Sequence, residues 1–179
     1  MIRAFLALPV PESILHRLTA VQHRLPLPRP LDPAGFHITL VFLDRQPESV
    51  LEDLHHAIAA LALYPPLLRL DGLGTFGGDT PEALHVRIAG DARLNAIQMK
   101  TVRAARAMGI AVPARKFVPH VTLGRFRAGE AQPDTLARAM QAVEPVTSDL
   151  WLAEEMVLYR STLRPEGPAY DALASYRLG

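Results

Sequence analysis

The stretch KFVPHVTLGRF, residues 116–126, sets a histidine and a threonine two apart inside an otherwise apolar run. GFHITLVFL, residues 35–43, does the same with His37 and Thr39. In a strand, residues i and i+2 point to one face. His37 and Thr39 therefore share a face, while Ile38, Leu40 and Phe42 point the other way into a core. His120 and Thr122 share a face, with Val121 and Leu123 opposite. Strict alternation puts Arg125 opposite His120, and it joins the histidine only if the strand twists or bulges after Gly124, for which glycine is suited. Each run reads as a rigid strand presenting an imidazole beside a hydroxyl. One such pair needs no function, but two in a chain with seven His call for one.

Outward from these strands, the chain alternates. Residues 2–8 read as a strand, followed by a helix over 11–25 with Ile14, Leu18, Val21 and Leu25 at helical spacing. PLPRPLDPAG, with four prolines, is loop. QPESVLEDLHHAIAALAL reads as a helix with early acids and an apolar stripe of Val50, Leu51, Leu54, Ile58 and Leu61. Strands follow at 67–73 and 83–89, joined by a glycine-rich stretch in which GLGTFGG reads as a hairpin-like loop. A helix over 91–108 turns Leu94, Ile97, Thr101, Ala105 and Met108 inward. The second His-Thr strand covers about 118–126, a short helix 133–143, and two last strands about 149–160 and 169–178. An offset of 83 carries His37 onto His120, and the order strand, helix, His-strand, helix, strand repeats across it. The expectation is a single catalytic domain over residues 1–179, α+β and bilobal. It has two pseudo-symmetric lobes of mainly antiparallel sheet with helices outside, and the active-site cleft lies between them.

Of 179 residues, 49 % are hydrophobic and 21 % charged, enough to bury a sizeable core. With no cysteine, disulfides, zinc-thiolate sites and thiol nucleophiles are excluded, and a reducing compartment fits. The apolar run at the N-terminus is too short for a signal peptide or membrane span, so the expected location is cytoplasmic, with no membrane. The net charge of +1 hides an asymmetry. Residues 87–127 hold nine of the 19 Lys/Arg (Arg87, Arg93, Lys100, Arg103, Arg106, Arg115, Lys116, Arg125, Arg127) and one of the 18 acids, Asp91. That excess around one His-Thr strand points to an anionic ligand. Lys100, Arg103, Arg106, Arg115 and Lys116 are its candidate RNA contacts.

Two imidazoles across a cleft suit metal-free phosphoryl chemistry. One, neutral, takes a proton from the attacking oxygen; the other, protonated, gives a proton to the leaving oxygen. A pKa near ~6.5 lets both forms exist near neutrality. Thr39 and Thr122 can donate hydrogen bonds to non-bridging phosphate oxygens. The residues alone require one acid and one base without saying which is which. His16, His23, His55 and His56 read as solvated helix residues, and His85 lies in a strand with no threonine two residues on. No His-Glu-x-x-His or carboxylate cluster suggests a metal, so no metal or cofactor is expected.

HITL (37–40) and HVTL (120–123) resemble the paired H-x-T-x signatures of the 2H phosphoesterase superfamily, and most closely its 2′-5′ RNA ligase, or RNA 2′,3′-cyclic phosphodiesterase, branch. RAFLALPVP resembles the opening strand of that branch, FHITLVFL and FVPHVTLGRF its motif blocks, and STLRPEGPAYDAL (161–173) its closing strand pair. Two departures stand out: Asp44 where glycine is usual, and Gly124 where another small residue is commoner. The resemblance implies hydrolysis of a ribose 2′,3′-cyclic phosphate at RNA ends to a 2′-phosphomonoester. It implies His37 as proton donor, His120 as acceptor and Arg125 at the phosphate. Reverse 2′-5′ ligation would use the same site. The expected partner is RNA with a 2′,3′-cyclic phosphate end, tRNA fragments among them, acted on by a monomer. The alternatives are a phosphodiesterase for 2′-5′ oligonucleotides or small cyclic nucleotides, and a nucleotide-binding module without turnover.

Overall fold

A computed structural model describes residues 1–165 and 167–179; Glu166, inside the STLRPEGPAYDAL stretch, lies outside the described residues. Strand β1 (Ile2–Pro9) buries Ala4 through Leu8. Helix α1 (Glu12–Gln22) starts at Pro11 and buries Ile14, Leu18 and Val21. Strand β2 (His37–Gln46) and helix α2 (Glu48–Ala59) follow, the helix burying Leu51, Leu54 and Ile58 of its stripe. Then come β3 (Leu67–Phe76), β4 (Ala83–Gly90) and α3 (Ala92–Ala107). Helix α3 is capped by the Asp91 carboxylate, which accepts from the Arg93 amide, and it buries Leu94, Ile97, Thr101 and Ala105. The chain ends with β5 (His120–Arg125), α4 (Pro133–Val143), β6 (Trp151–Leu152), β7 (Glu155–Arg164) and β8 (Gly167–Arg177).

Two readings of the sequence need correction. GLGTF is not loop but the second half of β3, and the turn begins at Gly77. The strand tolerates its glycines because it is bulged. Asp71 and Gly72 together oppose the single residue Arg87, and Gly72 has φ +83°. The Arg87 guanidinium fills that bulge, donating to the Asp71 and Leu73 carbonyls, and a Cβ at residue 72 would lie 2.5 Å from it. The single strand expected at 149–160 is two, β6 and the start of β7, in different sheets.

The strands form two four-stranded antiparallel sheets, ordered β2-β1-β7-β8 and β5-β4-β3-β6. The lobes of this α+β, bilobal fold are therefore not the two halves of the chain. Strands of each half cross to the other lobe: β3 pairs with β4, and β7 pairs with β1. One continuous apolar core joins both sheets, holding Leu6 and Ile38 with Leu84 and Val121. Helix α3 packs against β2, β4 and α2, and α1 reaches β5.

The residues after α1 close the seam between lobes. The Leu31 amide donates to the Leu123 carbonyl at 2.9 Å, and the Arg125 amide donates to the Arg29 carbonyl at 3.1 Å. The buried Gln22 amide donates to the Leu31 and Leu123 carbonyls, each at 2.8 Å. Gly124 is what lets this segment approach, for a Cβ there would sit 2.9 Å from Leu27 and 3.0 Å from the Arg29 carbonyl oxygen. Asp44, the other departure, takes φ 56°, a left-handed turn that aspartate tolerates.

Candidate active site

Both His-Thr strands break alternation at the same place. On β2, Leu6 pairs with Val41 and Ala7 with Thr39, which leaves Leu40 extra. On β5, Leu84 pairs with Gly124 and His85 with Thr122, which leaves Leu123 extra. Each bulge buries two consecutive residues, Leu40–Val41 and Leu123–Gly124, and shifts the next residue to the other face; β2 shifts register once more at Leu43. Phe42, expected in the core, is therefore 59 % exposed and packs beside Phe5 at 5.9 Å. Arg125 is carried to the face of His120 and Thr122, by a bulge that precedes Gly124 rather than follows it. Phe42 and Arg125 are 83 residues apart, as are the histidines and the threonines.

The two imidazoles are held alike. His37 Nδ1 lies 2.7 Å from the Gly35 carbonyl, and His120 Nδ1 lies 2.7 Å from the Val118 carbonyl. A carbonyl only accepts, so Nδ1 carries hydrogen in both rings and Nε2 is left for chemistry. The hydroxyls differ. Thr39 Oγ1 lies 3.1 Å from His37 Nε2, and no bond joins Thr122 to His120 among the described residues.

Aromatic rings surround both histidines. His37 packs against Phe5 at 4.7 Å, Tyr170 at 5.1 Å and Tyr159 at 6.2 Å. Tyr170 stands on β8, at the opposite edge of the sheet from β2, so the first sheet is strongly curled and its concave face holds the site. His120 packs against Phe76 at 4.7 Å and His85 at 5.1 Å. Burial pushes the His37 pKa down to about 4; the Gly35 carbonyl opposes this, and the charges of His120 and Arg125 add to it. Burial likewise lowers His120, with the Val118 carbonyl opposing and Arg125 adding. Burial raises the Tyr170 hydroxyl, while Arg125 and Arg3 pull it down. The structure thus brings His37, His120 and Arg125 into one electrostatic neighbourhood, with Thr39 and Thr122 on the same strand faces.

The other basic candidates lie elsewhere. Lys100 donates to the Ala62 carbonyl beyond the end of α2, and Arg106 donates to the Val112 carbonyl. Arg93 donates to the Pro65 carbonyl. Part of the local charge excess therefore ties down loops. Arg115 and Lys116 are exposed on the loop leading to His120, and Arg103 is exposed on α3. Phe5, Phe76, Tyr159, Tyr170 and His85 were not among the sequence candidates. Only the sheet pairing assembles them, and no local spacing reports it. Among the described residues no group of three or more His, Cys, Asp or Glu is arranged to hold a metal, and no helix is long and apolar enough to cross a membrane.

Residues 10–164 match the model of the 2′-5′ RNA ligase superfamily. An RNA 2′,3′-cyclic phosphodiesterase of Geobacillus stearothermophilus is 35 % identical over 80 % of the chain, which spans 45 % of that relative's length. An RNA 2′,3′-cyclic phosphodiesterase of Thermus thermophilus is 30 % identical over 98 % of the chain and 90 % of its own length. The crystal structure of TT0787 from Thermus thermophilus superposes with a TM-score of 0.80 at 29 % identity, covering 98 % of this chain and 97 % of that one. With two antiparallel sheets and a His-Thr strand in each, the chain belongs to the 2′-5′ RNA ligase superfamily.

Proposed function

We propose that the protein hydrolyses 2′,3′-cyclic phosphate ends of RNA to 2′-phosphomonoesters without a metal, and that the same site can run the reverse 2′-5′ ligation. It is an enzyme whose relatives carry the name RNA 2′,3′-cyclic phosphodiesterase. The observation that carries the reading is the pair of imidazoles, each fixed at Nδ1 by a carbonyl two residues upstream, with Arg125 acting on both.

In this reading His120 takes the proton of the attacking water and His37 delivers one to O3′ as it leaves. Thr39 and Thr122 donate to non-bridging oxygens, and Arg125 offsets the phosphate charge. Arg115, Lys116 and Arg103 are the side chains left to meet the rest of the RNA, tRNA fragments included; Lys100 and Arg106 contribute through the loops they fix. A monomer in the cytoplasm is part of the same proposal.

Turnover of uridine 2′,3′-cyclic phosphate and of a cyclic-ended RNA in EDTA, without nucleotide cofactor, tests it. Undiminished hydrolysis is expected. Loss of activity in chelator, restored by a divalent ion, overturns it. Faster cleavage of a 2′-5′ linked dinucleotide than of cyclic-ended RNA would replace the substrate while keeping the chemistry.

A further inference from the structure

His85 on β4 is 3 % exposed, and its buried Nδ1 has no hydrogen-bond partner among the described residues. It pairs across the sheet with Thr122. Its ring stacks on Phe76 at 4.1 Å and meets the His120 ring at 5.1 Å and 61°. Gly74 makes room for it, because a Cβ there would lie 2.7 Å from His85 Nε2. At the corresponding register in the other sheet, Thr39 pairs with Ala7, and Ala7 pairs with Val157. A third imidazole therefore stands beside one catalytic histidine and not beside the other.

The two catalytic histidines also differ in what holds Nε2. His37 has Thr39; His120 has no such bond among the described residues, so beyond the Val118 carbonyl at Nδ1 its ring is held by packing. A phenylalanine at 85 would supply an aromatic ring without a polar atom. A buried polar atom without a partner is destabilising by ~1–3 kcal/mol relative to a satisfied one, and such an atom in a folded protein requires a reason. The reason offered by its position is the charge that appears on His120 when it accepts a proton. A neutral imidazole 5.1 Å from the His120 ring places a ring dipole beside that charge and, in its Nε2–H tautomer, a lone pair on Nδ1.

We propose that His85 is a positioning residue that holds the His120 imidazole in place and stabilises positive charge on it. The role rests on the proposed part of His120 as base. The charged and titratable groups that face this pair are His37, Arg87 and Arg125. Arg125 and a charged His37 oppose the charge on His120, Arg87 opposes charge on His85, and a neutral His85 adds no opposing charge. His85 remains neutral over the working range because burial first, then the charges of His120 and Arg87, lower its pKa to about 4.

Two measurements test this. Nitrogen-15 NMR of the unmodified protein should show His85 as the Nε2–H tautomer, with a bare Nδ1 at pH 7; a protonated Nδ1 overturns the proposal whether or not the enzyme turns over. In the second, His85→Phe keeps an aromatic ring and removes the acceptor. The His120 titration should move to lower pH, because its charged form loses support. With it, kcat on uridine 2′,3′-cyclic phosphate should fall roughly tenfold, the effect of losing one polar partner of a charged group, while KM holds. His85→Gln, which restores an acceptor, should recover part of both. A His85→Phe protein with unchanged His120 titration and kcat would reduce His85 to filler. If His85→Phe fails to fold, the tautomer and the His85→Gln titration decide. Absent turnover with the expected tautomer and titration shifts would instead count against the proposed reaction.

Discussion

Both catalytic candidates sit in aromatic surroundings that disfavour their charged forms, yet the chemistry needs one of them charged. Burial holds His37 down at about 4 and lowers His120, so near neutrality the free site is mostly uncharged at both rings. An oxyanion between them reverses this, since its negative charge favours the imidazolium. Binding must then take up a proton. Sulfate, a dianion throughout this range, is a suitable probe. Its affinity should tighten as pH falls from 8 toward 5, by at most about tenfold per unit for one linked proton. Calorimetry in two buffers of different ionisation enthalpy should report the uptake, and a pH-independent affinity would mean that the anion does not charge either ring. In catalysis, His37→Ala and His120→Ala should each lower kcat by roughly 10²–10⁴. The double variant should fall well short of the product, because the rings act as one unit. A single variant with most of its activity would remove that histidine from the mechanism. These two residues were legible in the sequence because a period of two is a property of one strand. His85 was not, because what makes it a neighbour of His120 is the pairing of β4 with β5, which local spacing does not encode.

At the level of elements, the helices were the legible part. Their apolar stripes begin just after Pro11, Pro47 and the Asp91 cap, and α4 occupies residues 133–143 as its pattern indicates. The strands were found but their irregularities were not. An extra Leu40 or Leu123 looks like any other apolar residue in an apolar run, so Phe42 was placed on the wrong face and the route of Arg125 stayed conditional. Gly124 is where this error can be tested. Its missing side chain admits Leu27 and the Arg29 carbonyl, which pin the bulge from outside. Gly124→Val should force that segment away. The expected destabilisation is about 1–3 kcal/mol by overpacking, read as a lowered midpoint in urea. Because the Arg125 amide bonds to the Arg29 carbonyl, KM for the cyclic nucleotide should rise more than kcat falls. Unchanged stability and KM would show that the 27–31 segment has no part in placing Arg125.

The whole molecule is two sheets of like construction that share one core, and the likeness reaches single atoms: each histidine is tied to the carbonyl two residues before it, and each strand bulges at the next leucine. This supports a duplicated unit, although the exchange of β3 and β7 means that no cut in the chain separates the lobes. A symmetric site would bind a cyclic phosphate in two orientations with equal ease. The product reports which ribose oxygen the bound orientation presents to the acid. One lobe offers Arg125 where the other offers Phe42, and one histidine has Thr39 on Nε2 where the other has His85 against its ring. If His37 protonates the leaving oxygen and that oxygen is O3′, the phosphate must remain on O2′. Phosphorus NMR of the product from uridine 2′,3′-cyclic phosphate should show the 2′-monophosphate alone. Ligation of a cyclic-ended RNA to a 5′-hydroxyl should by the same geometry give a 2′-5′ linkage, because the hydroxyl takes the place of the attacking water and P–O3′ is again the bond that breaks. A 3′-monophosphate as main product would mean that O2′, not O3′, lies in line with the attacking water and is the oxygen that the acid protonates. A mixture would mean that the site presents O2′ and O3′ to the acid with equal ease and does not fix the ribose.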